Sequence, residues 1–166
     1  MKLNLGCGND YREGYVNIDS SKYAKPDVLL NIDGNKLPFE DNSVDEVIAR
    51  AILEHIRDLD GLLKELYRVC KPEAKIIIDV PYFSSESAFS HYQHVTFFSW
   101  TTFDLFNPEH GEHFHTGIKF KITDRYLSSR FFGKNTPFNL FPRIYQEYLC
   151  WIFPVRSIHF ELEVMK

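Results

Sequence analysis

The sequence predicts an α/β fold built on a mostly parallel sheet of seven strands with helices on its faces. Three observations carry this expectation. Short strand patterns alternate with a helical pattern through the first half of the chain, an order that builds parallel sheets. The run "AKIIIDVP" is continuously β-branched, as expected of a strand buried on both faces. The terminal "SIHFELEVMK" alternates, with Ile158, Phe160, Leu162 and Val164 on one side and His159, Glu161 and Glu163 on the other.

The elements follow in order. "KLNLGC" and "YVNID" read as the first two strands, "DVLLNID" (27–33) as the third and "VDEVIAR" (44–50) as the fourth. Next, Ile52, Ile56, Leu59, Leu62, Leu63, Leu66 and Val69 recur at helical spacing, and Pro72 stops the pattern. Asp58 is the expected cap where a short first helix gives way to a longer second one. "AKIIIDVP" (74–81) is the fifth strand. "WTTFDLF" predicts a helix capped by Thr101 or Thr102, and "KFKITDRYLSS" the sixth strand. Between it and the terminal strand lies an aromatic, proline-broken stretch. No repeats or linkers divide the chain, so residues 1–166 are expected to form one domain. Its expected parts are a ligand-binding half (1–81), acceptor-side loops with an aromatic cover (82–157) and a terminal strand (158–166).

A chain of 166 residues and 44% hydrophobic content can bury one good core. Its net charge of -4 argues against a general phosphate-backbone binder, so no nucleic-acid partner is expected. Three cysteines without paired spacing fit a reducing cytoplasm. There is no secretory pattern. No apolar stretch reaches the roughly 18 residues of a membrane span.

"KLNLGCGNDYREGYVNID" raises the functional question. A strand ending in Gly6-Cys7-Gly8 offers backbone N–H groups and lets a ligand approach where a Cβ would collide. Asp19, ending the next strand, is placed to accept hydrogen bonds from a ribose diol. A dinucleotide site would normally add a third glycine and set its acid about 20 residues on. Here Asp19 lies only eleven residues after Gly8. That disfavours a nicotinamide cofactor and favours a nucleoside without phosphates, of which S-adenosylmethionine is the common one. Asp33-Gly34 is then suited to an adenine edge, with Leu37 and Phe39 as apolar flanks.

The ordered motifs "LNLGCG", "VNID", "DGNKLPFEDNSVDEVIA", "LEHI" and "ELYRVCKPEAKIIIDVP" resemble the class I S-adenosylmethionine-dependent methyltransferases of the type 11 group, over about residues 2–81. The resemblance implies a doubly wound, Rossmann-like sheet with an antiparallel C-terminal strand. It implies Leu5, Gly6, Cys7 and Gly8 beneath the cofactor's methionine part, Asp19 and Ser20 at the ribose, and Asp33, Gly34 and Leu37 at the adenine. Ala49 and Arg50 would meet the methionine ammonium. His55 would stand near the reactive end or brace its loop. Only seven residues separate Gly8 from Val16, so the first helix must be reduced to a turn or loop. The chain begins at the first strand, so either the pocket is open or segment 131–153 covers it.

Methyl transfer from a sulfonium requires alignment more than acid–base work. "DVPY" (79–82) superficially resembles the motif of amino-group methyltransferases, but it follows the fifth strand where that motif follows the fourth, and the assignment is rejected. Five of the seven histidines, His91, His94, His110, His113 and His115, follow the fifth strand and precede the sixth. His91 or His94 is the candidate base. Glu109, His110, His113 and His115 match no standard ligand spacing, so no metal is assigned. Segment 131–153 is a lid, a homodimer contact, a membrane-facing patch or core cover, and Arg125, Arg130, Lys134, Arg143 and Arg156 around it would suit an anionic acceptor. The expected function is methylation of a small molecule, with a sugar or glycan precursor as the finer expectation. The alternative is a non-catalytic cofactor-binding module on the same fold.

Overall fold

The structure, a computed structural model, describes residues 1–108 and 117–166. Its sheet has the order β3-β2-β1-β4-β5-β7-β6. The strands are β1 (Lys2–Leu5), β2 (Val16–Asp19), β3 (Val28–Leu29), β4 (Val44–Arg50), β5 (Cys70–Pro81), β6 (Phe120–Ser128) and β7 (Ser157–Val164). β1 to β5 are mutually parallel, and β7 runs antiparallel to both β5 and β6. The expected strand number and reversed terminal strand are therefore present. The third strand is shorter than expected, two residues in place of seven, because "NID" (31–33) turns away to the sheet rim.

Helix α1 (Leu59–Val69) is capped as expected, with Asp58 Oδ1 accepting from the Gly61 N–H at 2.9 Å. Its Leu62, Leu63, Leu66 and Val69 join one core with Leu3, Leu5, Val47, Ala49, Ile76, Ile78, Phe160 and Leu162. The strand registers put these sheet residues on a single face. The helix ends at Val69, before Pro72, because β5 begins at once with Cys70 against Val44. The short helix expected before Asp58 is a 3₁₀ turn, Leu53–His55. "WTTFDLF" yields only a 3₁₀ turn, Asp104–Phe106; Thr102 Oγ1 accepts from the Ser99 N–H instead of capping a helix.

The opposite sheet face is polar. Register aligns Lys2, Glu46, Lys75, Glu163 and Lys121 in one row across five strands, with alternating charge. Opposed charges on neighbouring strands support one another by about 0.2–1 kcal/mol a pair. The connections β1–β2 and β2–β3 hold no α-helix over this face. Accordingly Ile77 of β5 is only half-buried, and the expectation of a strand buried on both faces holds for one.

In place of the first helix, residues 6–15 fold as a loop on two buried asparagines that face each other in register, Asn4 and Asn17. Asn4 Nδ2 donates to the Asp10 carbonyl at 2.7 Å and to Asn17 Oδ1 at 2.9 Å. Asn17 Oδ1 also accepts from the Arg12 N–H, and its Nδ2 donates to Arg12 and Tyr15 carbonyls and to Asp27. Side-chain amides thus satisfy backbone groups that a helix would have paired internally.

Segment 131–153 is core cover on its inner side. Tyr145 and Cys150 are buried, and Phe138 stacks on Tyr145. On its outer side Phe131, Phe132, Leu140 and Trp151 are exposed. Among the described residues, no helix is long and apolar enough to cross a membrane.

Candidate active site

The chain leaves β1 toward β2 and β3, then returns to place β4 on β1's other side. Ligands of open α/β sheets bind at such a switch point, beyond the carboxyl ends of the strands. A cleft of about 640 Å³ lies there, lined by Gly6 after β1, by Asp19 and Ser20 at the end of β2, by residues 30–33 after β3 and by the turn after β4.

Gly6 adopts φ +61°, and a Cβ there would stand 2.5 Å from the Ile52 side chain. Its bare backbone lets the segment after β4 cross directly over the end of β1. Gly8, at φ +47°, donates its N–H to Asp19 Oδ2 at 2.8 Å. Asp19 Oδ1 accepts from the Ser21 N–H at 2.7 Å. Two backbone donors therefore fix the carboxylate, and each oxygen keeps a second lone pair.

Asp33 faces the same cleft but is partly committed. Its Oδ1 accepts from the Arg57 and Asp58 N–H groups at 3.1 and 3.0 Å, tying the rim after β3 to the start of α1. Apolar walls come from Leu30, Ile32, Ile52, Ile56 and Val95.

A second cleft, of about 400 Å³, adjoins the first above β4 and β5. His55 lines both. Arg50, Glu54, Asp79, His91 and His94 line the second. Arg50 Nε meets Asp79 Oδ2 at 2.9 Å, and His159 Nδ1 meets Asp79 Oδ1 at 2.7 Å. Burial pushes Asp79 toward its protonated form, but the contacts with His159 and Arg50 outweigh it and hold the carboxyl below its ordinary range. Burial likewise pushes His159 down, and Asp79 with Glu161 raises it above its ordinary value.

The segment carrying His91 and His94 is pinned to the 53–56 turn. Val95 and Thr96 donate their N–H groups to the Glu54 carbonyl at 2.8 and 3.1 Å, and Thr96 Oγ1 donates to the Ile56 carbonyl at 2.6 Å. That pinning brings the ring centroids of His91 and His94 to 5.4 and 4.7 Å from that of His55. Burial lowers His55 from its ordinary pKa, and repulsion from His94 and His91 adds to the effect. Glu54 is buried, with no hydrogen-bond partner at Oε2, and burial pushes its pKa up to about 7.

Of the residues expected at a cofactor, Gly6, Asp19, Ser20, Asp33 and His55 line the first cleft. Leu5, Cys7 and Ala49 are buried beneath it. Gly8 holds Asp19, and Arg50 lies in the second cleft. Gly34 and Leu37 are displaced from expectation. Gly34 opens on a neighbouring groove with Asp58 and Glu65, and Leu37 is 1% exposed, locked in the core while its N–H donates to Glu65 at 2.9 Å. Leu37 and Phe39, both expected as apolar flanks, pack in and against the core, and the apolar walls of the cleft come instead from residues such as Leu30, Ile32 and Ile56. Sequence reasoning also missed Tyr92, Gln93 and Val95, which cover the cleft where segment 131–153 was one expected lid. Glu109, His110, His113 and His115 lie outside the described residues.

A methyltransferase-domain family matches residues 3–78. Demethylmenaquinone methyltransferase of Streptomyces avermitilis is 44% identical over 46 residues, 28% of this chain and 20% of that protein. Sterol 24-C-methyltransferase ERG6B of Gibberella zeae is 38% identical over 66 residues, 39% of this chain and 17% of that protein. The match thus spans about a fifth of these curated relatives' length. A SAM-dependent methyltransferase from Archaeoglobus fulgidus superposes with a TM-score of 0.62 over 98% of this chain and 85% of its own, at 17% identity. Residues 3–78, a little under half of the chain, thus match the methyltransferase-domain family, and the seven-stranded sheet has the fold of the S-adenosylmethionine-dependent methyltransferase from Archaeoglobus fulgidus.

Proposed function

We propose that the protein transfers a methyl group from S-adenosylmethionine to a small-molecule acceptor. The observation that carries this is the meeting of the two clefts at His55. The first cleft offers Asp19 to a ribose diol, the free oxygen of Asp33 to an exocyclic amine, and apolar walls to a purine. A sulfonium leaving that cleft along Gly6 and Ile52 would face the second one. An acceptor held there would attack the methyl carbon in line, the sulfur would take the bonding pair and leave as S-adenosylhomocysteine, and the proton lost by the acceptor would pass to water in the open cleft or to a neighbouring base. The donor is already activated, so the protein's contribution is alignment and exclusion of water.

The second cleft suits a molecule of metabolite size, and relatives named for demethylmenaquinone and sterol methylation support a small acceptor. No described residue of the cleft singles out a sugar or glycan precursor, so the wider class is the one we propose. Of the five basic residues considered for an anionic acceptor, Arg156 lines this cleft, whereas Arg125 is engaged by Asp104 at 2.6 Å. The three free, buried cysteines fit a cytoplasmic setting. The exposed aromatics of 131–153 are the surface we offer for a homodimer.

Thermal melts test the cofactor. Ligand at 100 times its dissociation constant adds about 2.7 kcal/mol of stability, worth roughly 5–10 °C in a domain of this size. S-adenosylhomocysteine should give that shift and NAD should not. Absence of the shift would defeat the proposal. Binding without methyl transfer to any member of a broad metabolite pool would mark a non-catalytic module instead.

A further inference from the structure

We propose that His55, His91 and His94 bind one divalent transition-metal ion of the zinc type at the seam between the two clefts. Each offers a ring nitrogen, and the three nitrogens lie within 4.8 Å of one another. The histidines come from two segments, the turn after β4 and the loop after the short helix α2 (Glu86–Phe89), and the hydrogen bonds from residues 95 and 96 to the first segment hold them together.

Two further observations point to a cation. His94 Nδ1 lies 3.1 Å from the Ala88 carbonyl. A carbonyl only accepts, so Nδ1 carries the proton and Nε2 presents its lone pair. Metal-ligating histidines are fixed in this way, the second nitrogen donating to a carbonyl or carboxylate. The second observation is Glu54. Its side chain is 3% exposed, its Oε1 lies 4.0 Å from His94 Nε2, and its Oε2 has no partner. A separation of 4.0 Å is too long for a hydrogen bond. A divalent ion held by the three rings would lie near this carboxylate without being ligated by it, and would compensate a charge that burial otherwise leaves stranded.

The donor set selects the ion class. Imidazoles favour Zn²⁺, Co²⁺, Ni²⁺ and Cu²⁺ over Mg²⁺ or Ca²⁺, which take oxygen. Zinc–nitrogen bonds of about 2.0–2.1 Å in tetrahedral geometry require nitrogens roughly 3.3 Å apart, so the rings draw in on binding. Exposed His91 supplies the entry path and the slack. Three ligands leave a position for an oxygen of the acceptor, whose hydroxyl proton the ion would acidify. His91 and His94, expected from sequence as bases, then act on the acceptor through the ion. The site stands on the cluster itself and does not depend on the methyl-transfer reading.

The test uses the full chain stripped with chelator and titrated with Zn²⁺, Mg²⁺ and Co²⁺. We expect one Zn²⁺ retained per chain after gel filtration, no retained Mg²⁺, and the intense visible absorption of low-symmetry Co²⁺. His91→Gln, at an exposed position, should weaken zinc binding at least about tenfold while the fold persists, and Glu54→Gln should weaken it about 10- to 100-fold. A His110→Gln, His113→Gln, His115→Gln triple variant should still bind. No stoichiometric zinc, or binding that survives His91→Gln and disappears in the triple variant, overturns the proposal. Thermal shifts with S-adenosylhomocysteine on the metal-free protein report separately on the nucleoside cleft, so failure of one reading is distinguishable from failure of the other.

Discussion

The Gly8 N–H and Asp19 Oδ2, 2.8 Å apart, join the glycine turn after β1 to the acid at the end of β2. With Ser21 donating to the other oxygen, the carboxylate is oriented before any ligand arrives. Preorganisation of this kind lowers the ordering cost of binding. Asp19→Ala removes the clamp and leaves two N–H groups to solvent. It should cost about 1–2 kcal/mol of stability and weaken S-adenosylhomocysteine binding by about 100-fold, read by calorimetry. Asp19→Asn keeps one acceptor oxygen and should fall between. Affinity unchanged in Asp19→Ala would remove the ribose from this position.

Gly6 and Ile52 make a steric prediction. A methyl group on Gly6 would stand 2.5 Å from Ile52 in a backbone conformation with φ +61°. The left-handed conformation costs roughly 1–2 kcal/mol for a residue with a Cβ, and the forced repacking about 1–3 kcal/mol more. Gly6→Ala should therefore destabilise by about 2–5 kcal/mol in urea melts. Adding Ile52→Ala should return only the packing share, giving a non-additive cycle. Additive losses would show that the two do not meet.

The sheet was legible because its strands carry their burial in the side-chain pattern. Ile158, Phe160 and Leu162 alternate with His159, Glu161 and Glu163, and the structure buries the first set completely. α1 announced itself through Asp58 and the spacing of its leucines. The site was half legible. Gly6, Asp19, Asp33 and His55 stand at strand or turn ends that local pattern identifies. Leu37 was misplaced because apolarity does not distinguish a ligand wall from a core position; the deciding contact, with Glu65, lies 28 residues away. Tyr92, Gln93 and Val95 were missed because only tertiary hydrogen bonds from Val95 and Thr96 to the Glu54 and Ile56 carbonyls bring their loop over the cleft. The polar second face was hidden for a related reason. "KIIID" looks buried on both sides, and only register shows that Ile77 stands between Ile48 and Glu161.

Where the first helix is missing, Asn4 and Asn17 hold its replacement. Both are buried, and they bond each other at 2.9 Å. Asn17→Ala would take a partner from the Arg12 N–H, the Arg12 and Tyr15 carbonyls and the Asn4 amide, and should cost about 2–4 kcal/mol. The loop over 9–15 should then become the earliest site of limited proteolysis. Asn4→Ala should cost less, about 1–3 kcal/mol, and the double variant less than the sum, because each loss already breaks the shared bond. A fully additive pair would mean that the loop does not depend on this contact.

The His159–Asp79 contact sets a pH dependence whose sign follows from both partners. The groups facing it are Arg50, Glu161, Asp124 and the Tyr126 ring, stacked on His159 at 4.4 Å. His159 sits above its ordinary value of 6.5, so its contribution is fully present below that pH and is lost as pH rises through the folded value. Asp79 sits below 3.8, so its contribution is present above that pH and is lost as pH falls through the folded value. The pair therefore supports the fold best between about pH 4 and 6.5. His159→Gln keeps the size and a hydrogen-bonding group but removes the charge. The melting-temperature gap between wild type and this variant should be widest near pH 5.5 and close as pH rises above 6.5 through the folded value of His159. A gap that stayed constant across that range would assign His159 a packing role against Tyr126 and deny it the ion pair.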